Sequence, residues 1–163
     1  MDLGVYCVNT CRWLVSEDPV EVTARQWTHN TSLFRDVEEG IAFHMNFPSG
    51  LLVQCSSTYA AALSSFITVQ GTKGWILLNP AFPFEEPRHL IGKVNGQRID
   101  QTFAVIDEFA LEIDAFADSV MKKSKIEPDG EQGHRDVQIM GAIYESARKG
   151  RPVALDFTMR SKQ

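Results

Sequence analysis

Cysteine is scarce in this 163-residue chain: Cys7, Cys11 and Cys55 are an odd number in a sequence long enough to bury a core without covalent staples. A disulfide framework is excluded as the source of the fold, and the three residues read as free thiols of a reducing compartment or as incidental core residues. Long hydrophobic runs are missing too. Ser, Gln or Gly breaks every apolar stretch well short of the ~18 residues that a membrane helix needs, so no membrane partner is expected. Like charges do not cluster. The 16 basic and 21 acidic residues are spread along the chain for a net charge of -5, which leaves no patch to track a phosphate backbone and argues against nucleic acid as a partner. Two site signatures are absent as well. His29, His44, His89 and His134 are scattered without metal-ligand spacing, and no Gly-rich turn joins a strand to a helix as a dinucleotide site requires. The nearest candidate, Gly71-Thr72-Lys73-Gly74, runs into strand-like sequence at Trp75 and reads as a hairpin turn.

What is present is the composition of one ordinary globular domain, 44% hydrophobic and 23% charged. Helical spacing over 3–15 predicts a first helix with Asp2 at its N-cap. Alternation then predicts strands over 20–29 and 37–47, and a partner strand follows the Pro48-Ser49-Gly50 turn with Leu51, Val53, Cys55 and Tyr59 on one face. Two more hairpins turn at 71–74 and at Asn95-Gly96, separated by an ordered excursion over 79–88. Phe109, Ile113, Phe116 and Val120 make the stripe of a second helix behind Asp107. Asp129 with Gln132 resembles a capping box that opens a third helix, striped by Val137, Met140, Ile143, Tyr144 and Ala147 and stopped near Gly150. A last short strand is expected over 153–157. The fold class is α+β: an open, mostly antiparallel β-sheet with helices covering one face, as a single domain over 1–163.

Chemistry concentrates at the start. Asp2 and Tyr6 at i and i+4, with Asn9 and Arg12 beyond them, would share a helix face and could line a sugar or polyol site, where hydroxyls want donors and acceptors together. The plainer alternative is a capping aspartate, a packed tyrosine and two surface residues. Cys7 and Cys11 are also one turn apart, but a helix does not bring i and i+4 thiols into easy disulfide geometry, and no redox chemistry is expected of them.

The run Asp2-Leu3-Gly4-Val5-Tyr6-Cys7-Val8-Asn9-Thr10-Cys11-Arg12 resembles the start of the C-terminal domain in the Gfo/Idh/MocA oxidoreductases, especially the branch containing glucose-fructose oxidoreductase. The similarity continues through Phe47-Pro48-Ser49-Gly50, Ser56-Ser57-Thr58-Tyr59, Val69-Gln70-Gly71 and Gly130-Glu131-Gln132-Gly133. It ends with Ala142-Ile143-Tyr144-Glu145-Ser146-Ala147-Arg148 and Gly150-Arg151-Pro152-Val153, and so spans nearly the whole chain.

No secretion signal is visible, so a cytoplasmic location is expected. The resemblance implies a two-domain enzyme whose N-terminal Rossmann domain binds NADP or NAD, while the C-terminal domain supplies the open sheet and half of a sugar site. Tyr6 would then be the acid/base on a substrate hydroxyl, and Asp2 would orient the substrate. Asn9 falls where many relatives carry a site aspartate, and Arg12 matches a family residue. The family's Glu-Lys-Pro lysine and its glycine-rich turn belong upstream of Met1. The chain therefore reads as a truncated C-terminal fragment, inactive alone and without NADP of its own, that forms a homodimer through its open sheet face. Set against this is a stand-alone module that binds a small carbohydrate or only dimerises.

Overall fold

Ile41, Phe43 and Met45 alternate with Ala42 and His44, and the first set is buried while His44 is open to solvent. That period of two organises the first half of the molecule. The computed structural model describes residues 1–157. In chain order the elements are α1 (Gly4–Val15), β1 (Glu21–Trp27), β2 (Gly40–Asn46), β3 (Leu52–Thr58), β4 (Ile67–Gly71), β5 (Gly74–Asn79), β6 (Arg88–Val94), β7 (Gln97–Phe103), α2 (Glu108–Lys122), α3 (Gly130–Lys149) and β8 (Val153–Ala154). They form an α+β fold with two four-stranded sheets, every pairing antiparallel.

Two compact units share these elements: one is built from Met1–Ala61 and Pro128 onward, the other from Ala62–Glu127. The first holds the sheet β3-β2-β1-β8 with α1 and α3 packed on one face. Its core joins Val8 of α1, Val22 and Ala24 of β1, Ile41, Phe43 and Met45 of β2, and Ile139, Ala142 and Ile143 of α3. The opposite face carries Glu21, Thr23 and Arg25 of β1, Ala42 and His44 of β2, and Gln54 and Ser56 of β3 at alternate positions.

One edge needs a side chain to complete it. Strand β8 pairs only with Glu21 and Val22, so the Ala24 N–H of β1 lies beyond its reach. Ser146 takes that N–H at 3.0 Å and donates its own hydroxyl to the Arg151 carbonyl at 2.7 Å, which is why a serine stands fully buried in α3. Asp136 is buried on the same helix, whereas Val137 is exposed, so the inward face of α3 runs through Ile139, Ala142, Ile143 and Ser146 and leaves Val137 of the expected stripe outside.

The second unit is the meander β4-β5-β6-β7 followed by α2. Its last hairpin turns on Asn95 and Gly96, both at positive φ, the conformation a two-residue turn of this hand requires. Asp107 caps α2 by accepting from Ala110 N at 2.9 Å, and Phe109 stacks on Phe84 with ring centroids 5.7 Å apart. In this unit α2 buries none of its residues, and its stripe from Phe109 to Val120 stays exposed. The strands divide between two sheets, because hairpin periodicity says which strands are neighbours in sequence but not which hairpins join. Strand β2 starts at Gly40, leaving Val37 in the preceding loop, and β8 stops at Ala154.

Candidate functional site

The head of α1 lies against β3. A Cβ built on Gly4 would run into the Met1 side chain at 2.5 Å and come within 3.3 Å of Ser57 Oγ, so the bare residue leaves room for Met1 beside this strand. Asp2 does not cap the helix. Leu3 occupies the N-cap with no side-chain bond, and Asp2 Oδ2 instead accepts a hydrogen bond from Tyr59 Oη at 2.6 Å. That bond holds the Tyr59 proton in place and raises the phenol pKa, with burial and the Asp2 charge acting in the same direction. Tyr59 is thus a fixed donor aimed at Asp2.

Tyr59 is placed in turn by Glu39. The Glu39 carbonyl accepts Tyr59 N and Thr58 Oγ1, each at 3.0 Å, while its carboxylate accepts His29 N at 2.6 Å and Asn30 N at 2.8 Å. The bonds from Asn30 and His29 lower the Glu39 pKa against the opposing effect of burial. Phe34, in the loop these bonds close, stacks on the Tyr59 ring at 6.4 Å. Tyr59 was legible in sequence only as the end of a strand, and nothing in the alternation marked it as Asp2's partner.

The four residues anticipated from sequence fall into separate places. Asp2 meets Tyr59, and Tyr6 stands half-exposed on the first turns of α1. Asn9 and Arg12 converge on Asp136 of α3: Asn9 Nδ2 donates to Oδ2 at 2.8 Å and Arg12 Nη1 to Oδ1 at 2.6 Å. Arg12 also donates from Nε to Asp18 Oδ1 at 2.8 Å, from Nη2 to Gln132 Oε1 at 2.7 Å and from Nη1 to the Gln132 carbonyl at 3.2 Å. Its guanidinium, only 6% exposed, is engaged on every nitrogen by the protein itself. Gln132 therefore makes half a capping box: its N–H bonds to Asp129 at 3.0 Å, but its side chain serves Arg12.

Phe34 also lines an open cleft of about 660 Å³ shared with Thr28, Arg35, Glu38, Tyr144 and Arg148. Tyr144 donates to Glu38 Oε1 at 2.8 Å, and burial followed by that bond pushes its phenol up to about 12. A cleft with cations, carboxylates, hydroxyls and one aromatic face offers both senses of hydrogen bond, the mixture that polyhydroxylated ligands use.

Among the described residues, neither the 71–74 turn nor the N-terminus of α2 or α3 is built for a nucleotide pyrophosphate. Residues 71–74 turn between β4 and β5 rather than into a helix, and the N-termini of α2 and α3 are taken by the carboxylates of Asp107 and Asp129, which repel phosphate. Among the described residues no group of three His, Cys, Asp or Glu side chains is arranged to hold a metal, and no helix is long and apolar enough to cross a membrane.

Residues 1–155 match the sequence model described as the oxidoreductase family, C-terminal alpha/beta domain, of the Gfo/Idh/MocA group. The chain belongs to the Gfo/Idh/MocA oxidoreductases. It is 32% identical over 157 residues to D-xylose 1-dehydrogenase [NADP(+)] from Haloarcula marismortui, covering 96% of this chain and 43% of that protein. It is 29% identical to D-xylose 1-dehydrogenase (NADP(+)) 2 from Haloferax volcanii, with 96% and 47% covered. Among solved structures, aldose-aldose oxidoreductase from Caulobacter crescentus, complexed with glycerol, superposes with a TM-score of 0.86 at 30% identity over 93% of this chain and 46% of that one. This Gfo/Idh/MocA chain spans about half the length of the relatives it matches.

Glu39 generates a test of this architecture. Its folded pKa lies below the unfolded one, so its contribution to stability is fully present above the ordinary carboxylate range and is lost as pH falls through the folded value. Denaturant unfolding of Glu39→Gln is expected to show lower stability than wild type at neutral pH, with the difference shrinking as pH falls through that range. A constant difference across the range would contradict the role given to the carboxylate.

Proposed function

We propose that this Gfo/Idh/MocA domain is the substrate-binding half of an NAD(P)-dependent sugar or polyol oxidoreductase, in which Tyr6 exchanges a proton with a substrate hydroxyl and Asp2 orients the substrate. The observation that carries the reading is the Asp2-Tyr59 bond at the head of α1, because it pre-positions the carboxyl and leaves its remaining lone pairs for a ligand hydroxyl. The xylose and aldose enzymes to which the chain is similar support the substrate class. Asn9 and Arg12 act on this reading as positioning residues, since their bonds go to Asp136 and hold α1. A nicotinamide nucleotide is assigned to residues other than those described, and no step of its chemistry is assigned to this chain.

The test is kinetic, in the enzyme that carries this domain beside its dinucleotide-binding domain. Tyr6→Phe keeps the ring and removes the hydroxyl, so kcat is expected to fall by a factor of about 10² to 10⁴, the usual contribution of general acid/base help. Asp2→Asn is expected to raise KM as well, because an orienting carboxylate already acts in the ground state. Undiminished kcat in Tyr6→Phe would remove the tyrosine from the mechanism.

We also propose a homodimer formed through the open face of the first sheet. Beside Glu21 and Arg25, that face presents Thr23, Ala42, His44, Gln54 and Ser56, and a stable sheet-to-sheet contact would bury more than ~1,000 Å² in total. Light scattering in the micromolar range is expected to give twice the chain mass. A monomer throughout that range would contradict the assembly.

A further inference from the structure

The three cysteines, separated in sequence, meet in the fold. Cys7 and Cys11 stand one turn apart on α1, and Cys55 lies buried in β3 with its Sγ 4.0 Å from Cys11 Sγ. Two sulphurs at that separation are in van der Waals contact. A disulfide closes at about 2.05 Å, so the two sulphurs have about 2 Å to close. The helical spacing of Cys7 and Cys11 forbids a bond between those two, but it says nothing of a third thiol arriving from the sheet.

The environment divides the labour among them. Cys11 Sγ and Cys55 Sγ share a contact in which either thiol can donate, and the meeting of the three sulphurs lowers Cys11 and Cys7 against the effect of burial and raises Cys55. Cys7 and Cys11 are partly exposed, where an oxidant can reach them, and Cys55 is buried. A metal role is not open to the cluster, since no three ligand side chains among the described residues are arranged to hold an ion.

We propose that Cys11 and Cys55 are a redox pair that closes to an intramolecular disulfide under hydrogen peroxide, leaving Cys7 as the third, free thiol. The Cys11 thiolate attacks one peroxide oxygen; the O–O bond breaks, hydroxide leaves, and Cys11 becomes a sulfenic acid. The Cys55 sulphur then attacks the Cys11 sulphur, the S–O bond breaks, and the hydroxyl departs with the Cys55 proton as water. Two thiols lose one electron each, and the peroxide takes up both. The bond would tie α1, which carries Tyr6, to the strand that leads into Tyr59. That consequence rests on the sugar-site reading, whereas the bond itself does not.

The protein is treated with hydrogen peroxide at neutral pH, its remaining thiols are counted, and a non-reduced tryptic digest is mapped by tandem mass spectrometry. Fragmentation is needed because Cys7 and Cys11 share the peptide ending at Arg12. The free-thiol count is expected to fall from three to one, with a Cys11-Cys55 link that dithiothreitol reverses. Cys7→Ser is expected to lose both of its remaining thiols and Cys11→Ser neither. Should Cys11→Ser fail to fold, the map of the unaltered protein decides alone. Persistence of three thiols, a Cys7-Cys55 link, or a link between two molecules would each overturn the proposal. Every readout is a thiol, so failure here is distinguishable from failure of Tyr6 and Asp2 in turnover.

Discussion

Arg12 is the residue on which the first unit turns. Its guanidinium is buried against Asp136 of α3 at 2.6 Å and Asp18 at 2.7 Å, and Asp18 in turn accepts Arg135 at 2.6 Å. Two cations and two carboxylates therefore balance, with Arg12 and Asp136 buried and Asp18 and Arg135 partly open to solvent. Removing Arg12 or Asp136 would leave an unpaired buried charge, at a cost of about 3 to 5 kcal/mol, whereas a matched apolar replacement of a buried pair is often neutral. The value of the cluster lies in its directions. A planar fork with five N–H groups accepts few arrangements of partners, so it fixes where α1 lies along α3 more sharply than a greasy contact would.

That register is what the site inherits. With Arg12 fixed on Asp136, the core contact of Val8 and the close approach of Gly4 to Ser57 bring the head of α1 to the end of β3. Asp2 then finds Tyr59, which Glu39 has already placed through its carbonyl. The same geometry sets Cys11 opposite Cys55. Site and thiol pair are two results of one helix position.

Much of this was legible in the sequence where chemistry is local. The Asn95-Gly96 turn, the caps at Asp107 and Asp129, and the stop at Gly150 follow from backbone conformations or side-chain bonds reaching three residues at most, and each stands where its residue type predicts. Residues whose partners are distant in sequence were not legible. Asp136 and Ser146 are polar residues on the inward face of α3, buried because Arg12 and the Ala24 N–H need them, and no periodicity announces such a need. Asp2 looked like a cap because aspartate before a helix usually is one, but Tyr59, 57 residues away, holds its carboxylate. The family motifs suggested a role for Tyr6 that spacing alone did not.

The dependence of the fold on the Arg12-Asp136 pair is measured most directly by a double-mutant cycle with Arg12→Met and Asp136→Leu, followed by denaturant unfolding of all four proteins. The account predicts that each single change is strongly destabilising and that the double variant recovers part of the loss, with a coupling of about 1 to 3 kcal/mol. Additivity to within about 0.5 kcal/mol would contradict it, because two residues that do not depend on each other cannot set the position of α1.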